Sequence, residues 1–103
     1  MSNNLKFYID GEWVAPTGTA TLDVIDPSTE EPFTKIALGT EADVDKAVKA
    51  AREAFKTFSQ TTKEERLALM RKLLEVYNKR FADAADALSR EMGAPKKLAH
   101  TAQ

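Results

Sequence analysis

No cysteine occurs in the 103 residues, which excludes a disulfide framework, a thiolate metal site and a cysteine nucleophile within this stretch. Histidine is nearly as scarce. His100 stands alone, with neither a second imidazole nor a thiol to complete a zinc site, and reads as an ordinary exposed helix residue. The four glycines, at positions 11, 18, 39 and 93, are each accounted for as a turn, a loop or a helix end. They build no G-x-G-x-x-G or Walker A loop, and no H-E-x-x-H run is present. Charge of one sign is missing too. Fifteen basic against sixteen acidic side chains leave a net charge of -1, which gives no electrostatic reason to expect nucleic acid or an anionic membrane as partner. Uninterrupted apolar runs stay far below the roughly 20 residues of a membrane span. The opening MSNNLKFYIDGEW lacks the basic-then-apolar pattern of a signal peptide, so a cytoplasmic location is the expectation.

What is present is punctuated like a small α+β unit, with 43% apolar residues, enough for a modest core. Phe7-Tyr8-Ile9 and Glu12-Trp13-Val14 flank Asp10-Gly11, a two-residue loop suited to a type I′ hairpin. Residues 15–20, rich in Gly, Thr and Pro, read as loop, and residues 21–25 as a second short strand. Asp26-Pro27-Ser28-Thr29 then turns the chain, since Asp26 can accept from downstream amides while Pro27 presets the first turn dihedral. A strand over 33–38 returns to complete a second hairpin.

Two amphipathic helices follow. Thr40 with Asp43 makes a capping-box-like start, after which Val44, Ala47, Val48, Ala51, Phe55 and Phe58 share one face. Thr62 with Glu65 repeats the signature. From there Leu67, Met70, Leu73, Leu74, Tyr77, Phe81, Ala84, Ala85, Leu88 and Met92 predict one continuous helix that Gly93 ends. Pro95 launches a third helix over the remaining residues to Gln103, too short to persist alone, since an isolated helix needs about 12 to 15 residues in water.

The residues that could carry chemistry have plainer readings. Glu30-Glu31 lies beside a turn. Glu64-Glu65 lies in a helix's first turn, where negative charge complements the helix dipole. Lys96-Lys97 fits an exposed helix start better than a phosphate site. From the residues alone, no self-sufficient active site is present: no catalytic and no cofactor-binding residue can be assigned.

Taken in order, FYIDGEWV, VIDPSTEE, IALGTEADVDKAVKAAREAF and TKEERLALMRKLLEVYNKRFADAADALSREMGAP resemble the beginning of an NAD(P)-dependent aldehyde dehydrogenase, from about Phe7 to the last residue. The resemblance implies an α/β parent with a Rossmann-like coenzyme domain, of which residues 1–103 would be an amino-terminal part cut inside a third helix. Taken alone, the chain would be α+β: two β-hairpins, two long helices and the start of another. In the family a cysteine thiolate attacks the aldehyde, amides stabilise the oxyanion, hydride passes to the nicotinamide, and a glutamate-activated water hydrolyses the thioester. All those groups would lie beyond Gln103, so NAD or NADP is implied for the parent and not for this chain. The implied partners are the remainder of the polypeptide and further copies, through homo-oligomer formation or self-association, with neither nucleic acid nor membrane.

The resemblance also implies a monovalent cation, sodium or potassium, held in the parent by a backbone carbonyl at Ile25, with Val24 as a neighbour, and by the Glu91 side chain. Oxygen donors of this kind suit hard cations. Two departures bear on this corner: Asp26-Pro27 stands where many members have Asn-Pro, and Glu91 where Asp is common, so that Glu91 could instead pair with Lys96. Two other readings compete with the enzyme part. One is a free-standing interaction module presenting its long helix to a partner. The other is a complete small dehydrogenase, which has no phosphate cradle to support it.

Overall fold

The structure, a computed structural model, describes residues 3–101. Among them, β1 (Phe7–Ile9) and β2 (Glu12–Val14) form the first hairpin, and β3 (Thr21–Asp26) and β4 (Glu31–Ala37) the second. The helices are α1 (Glu41–Phe58), α2 (Lys63–Lys79), α3 (Phe81–Met92) and α4 (Lys96–Ala99). The expected α+β order is therefore the observed one. Ala102 and Gln103, expected in the third helix, lie outside the described residues.

The first hairpin takes the form its loop demands. Asp10 and Gly11 have φ of 55° and 81°, positive at both positions as a type I′ turn requires. The register pairs Phe7 with Val14, Tyr8 with Trp13 and Ile9 with Glu12. The Tyr8 and Trp13 rings meet edge to face with centroids 5.3 Å apart, a cross-strand contact that helps hold so short a ladder. In the second hairpin the Asp26 carboxylate accepts from the Ser28 amide at 2.8 Å, and the Asp26 carbonyl accepts from Glu30 at 2.7 Å. Closing that turn leaves Glu30 at φ 59°, a left-handed conformation costing a non-glycine residue about 1 kcal/mol or more.

The chain divides into two compact units. The first comprises the chain up to Val24 with Pro32–Gln60, the second Ile25–Glu31 with the chain from Thr61 onward. In the first, α1 packs against β1. In the second, α2 packs on α3, and α3 on α4.

Both capping boxes form. Thr40 and Asp43 exchange side-chain and backbone bonds at the start of α1, and Thr62 and Glu65 do so at α2, with Thr62 N–H donating to Glu65 at 2.7 Å. The single helix expected between Thr62 and Gly93 is instead two. Arg80 breaks it at φ −108°, ψ 14°, and its N–H is shared between the carbonyls of Val76 at 3.2 Å and Tyr77 at 3.0 Å. This tightening of the last turn ends α2 while keeping its terminal donor satisfied. Across the break the Tyr77 and Phe81 rings meet edge to face at 5.9 Å, and Ala84 N–H bonds to the Arg80 carbonyl, so α3 starts at once.

The core is slight. Among the described residues the buried hydrophobic ones are Ala85 and Ala99, and no large side chain is fully buried. In the first unit Val44, Val48, Phe55 and Phe58 of α1 are exposed; in the second, so are Leu69, Met70, Leu73 and Leu74 of α2. The stripes that the periodicity marks as core-facing exist; along α1 and α2 they face solvent, while on α3 Ala85 is buried and Phe81, Ala84 and Leu88 are half-buried.

Candidate functional site

In the second unit the turn after β3 meets the end of α3. Gly93 closes α3 at φ 68°, the conformation glycine adopts most cheaply. A Cβ at Gly93 would lie 3.0 Å from the Pro27 ring, so the position also needs glycine for room. Beyond it the Ser89 hydroxyl donates to the Ala94 carbonyl at 2.9 Å, fixing the exit, and Pro95 stands as the N-cap of α4 rather than inside it. Ile25, 45% exposed near the end of β3, and Glu91, exposed on the last turn of α3, thus belong to one unit. Val24 falls in the other. No ion pair joins Glu91 to Lys96 among the described residues, and no group of three or more His, Cys, Asp or Glu there could hold a metal.

Two of the other sequence candidates, Glu65 and His100, are held in local contacts. Glu65 is spent on the α2 cap. His100 Nδ1 lies 2.8 Å from the Lys96 carbonyl one turn back, at an exposed helix end. Glu75 receives Lys79 Nζ at 2.7 Å and Lys72 Nζ at 3.0 Å. The Lys79 contact first, then Lys72, holds its carboxyl below the usual range, but all three are exposed and such pairs add little stability.

The first unit holds a cleft of about 550 Å³ between the β1–β2 hairpin and α1, lined by Ile9, Val14, Lys46, Lys49 and Asp43 among others. Asp43 is the buried charged residue of the described chain, 6% exposed. Its Oδ2 accepts from Thr40 N–H at 2.9 Å and Thr40 Oγ1 at 3.1 Å, and its Oδ1 from Thr17 N–H at 3.0 Å. The sequence signals the Thr40 bond through the capping box. It gives no sign of the Thr17 bond, beyond a threonine in a loop 26 residues earlier.

Among the described residues, nothing in either unit assembles a nucleophile, a base and an oxyanion donor. The aldehyde dehydrogenase family model matches residues 13–103. The chain is a member of that family. The aldehyde dehydrogenase of Bartonella henselae is 49% identical, its structure superposing with a TM-score of 0.92 over 94% of this chain and 20% of its own. Aldehyde dehydrogenase C from Pseudomonas syringae, solved as a cysteine-to-alanine variant with NAD+ and octanal, is 41% identical, with a TM-score of 0.94 over 97% of this chain and 21% of its own. A 3-succinoylsemialdehyde-pyridine dehydrogenase of a Pseudomonas species is 44% identical over 92% of this chain and 20% of its length. This aldehyde dehydrogenase chain thus spans about a fifth of the length of the relatives it matches, a fifth at the amino terminus. Membership favours a part of an aldehyde dehydrogenase over the free-standing interaction module.

Proposed function

We propose that this chain is the amino-terminal part of the coenzyme-binding domain of an NAD(P)-dependent aldehyde dehydrogenase, which oxidises an aldehyde to a carboxylic acid. The observation that carries this reading is the family match over residues 13–103, on a chain whose helices leave their apolar stripes exposed. Hydride acceptance is the chemistry the nicotinamide coenzyme supplies when bound. Nothing in the described residues suits the coenzyme itself, for there is no glycine-rich strand-to-helix phosphate cradle. The work of these residues is architectural: α1 and α2 present hydrophobic faces to the remainder of the polypeptide, and the capped helix starts fix where those faces point. The same reading takes the enzyme to be cytoplasmic and homo-oligomeric. Among the described residues, no helix is long and apolar enough to cross a membrane. The full-length enzyme should form NADH or NADPH and carboxylic acid from an aldehyde in equal amounts. A full-length protein that forms neither contradicts the proposal.

The Ile25 carbonyl and the Glu91 carboxylate belong to the same proposal as donors to a sodium or potassium ion in the parent. Both are oxygen donors of the kind such ions take, both residues are exposed, and the close approach of Pro27 to Gly93 keeps the turn and the helix end together. Two donors are too few for a hard cation, so further oxygens must come from the rest of the enzyme. In full-length enzyme, Glu91→Gln should weaken potassium-dependent protection against heat while leaving turnover intact. An unchanged potassium dependence removes Glu91 from the site.

A further inference from the structure

The capping role of Asp43 uses one carboxylate oxygen, and the other reaches back to a loop. Thr17 N–H donates to Oδ1 at 3.0 Å, the Thr17 and Thr40 hydroxyls lie 2.6 Å apart, and a Cβ at Gly18 would come within 3.0 Å of the Thr40 methyl. The loop is therefore pressed onto the first turn of α1 at two consecutive residues, with Asp43, 6% exposed, bonded to both sides. We propose that Asp43 is a latch: its ionised carboxylate holds residues 15–20 on the start of α1, and protonation frees that segment while the body of the helix stays folded.

The chemistry of the group carries this. A carboxylate accepts only, and here it accepts from two amides and a hydroxyl. Adding a proton removes the charge that strengthens all three bonds. On Oδ1 it faces the Thr17 amide, and on Oδ2 it turns to the Thr40 hydroxyl, which also accepts, so in either case the tie between loop and helix is weakened. Thr17 is exposed, so water competes for its amide once the acceptor is neutral, which favours outward movement of the loop. The helix below loses only its cap, and its i to i−4 ladder is untouched. Around the same cleft lie Lys46, Lys49 and Glu53 of α1, Asp10 of the hairpin turn and Glu12 of β2. The two lysines favour the ionised latch and the three acids oppose it, so the bonded amides set the balance.

The direction follows from those bonds. The Thr40 amide first, against the opposing effect of burial and with help from the Thr17 amide, holds the Asp43 carboxyl below its ordinary 3.8. A carboxyl lowered on folding contributes its stabilisation in full above the unfolded value and loses it as pH falls through the folded one. The latch is thus closed above 3.8 and opens at more acid pH.

Hydrogen exchange read by mass spectrometry on the intact chain tests this in two arms. At neutral pH, Asp43→Asn should speed exchange across residues 15–20 at least about tenfold, given the strength of hydrogen bonds to a charged acceptor, while the middle turns of α1 keep their protection. In the unsubstituted chain, corrected for the intrinsic pH dependence, the same segment should lose protection below 3.8 at a pH where α1 still holds its own. Undiminished protection of 15–20 in Asp43→Asn overturns the latch. If the variant does not fold, the pH series decides, and simultaneous loss from loop and helix there shows a cap and no latch.

Discussion

Titrated with NAD in a calorimeter, the 103-residue chain should give no saturable heat at micromolar coenzyme, and with an aldehyde added it should form no NADH above the buffer rate. Binding a dinucleotide needs backbone amides that converge on the pyrophosphate, normally at a glycine-rich turn between a strand and a helix. Among the described residues Gly11 serves a hairpin turn and Gly93 a helix end. Gly18 and Gly39 lie in loops where the nearest side chains are those of Thr40 and Phe7. Oxidising an aldehyde through a covalent enzyme adduct needs a nucleophile, and the chain has no cysteine. Saturable binding by a preparation shown to be free of full-length enzyme would falsify the proposed division of labour.

The elements that local chemistry specifies were legible in the sequence. Asp10-Gly11 requires positive φ at both positions, Asp26 has an amide two residues ahead to bond, and Thr40 and Thr62 each have a carboxylate at the third following residue. All four features involve residues within one turn, so spacing alone reveals them. The break at Arg80 was not legible. No glycine or proline marks it, and every residue from 78 to 82 tolerates a helix, so the 3.6-residue period runs across a change that one ψ angle makes. The Thr17–Asp43 bond was hidden for another reason, since it depends on tertiary placement of a loop. Periodicity marked the stripes of α1 and α2 correctly as apolar faces, but it carries no information on what covers them. The corner at Ile25 and Glu91 came only from the family resemblance. The structure puts both residues in one unit and leaves both exposed.

The second large effect concerns those stripes. Leu73 is 59% exposed here, so Leu73→Ala in the 103-residue chain removes little buried area and should change stability by no more than about 0.5 kcal/mol, as surface substitutions do. If the rest of the enzyme covers α2, the same substitution in the full-length protein deletes a packed side chain and leaves a cavity, costing about 2–5 kcal/mol. Until it is covered, such a face also favours self-association of the isolated chain. Sedimentation at tens of micromolar should show species larger than a monomer. The most direct test of the central claim, that these helices are faces awaiting the remainder of an aldehyde dehydrogenase, is therefore the stability cost of Leu73→Ala measured side by side in the two lengths of chain. A cost several-fold larger in the full-length enzyme is the predicted result, and an equally small cost in both would contradict it.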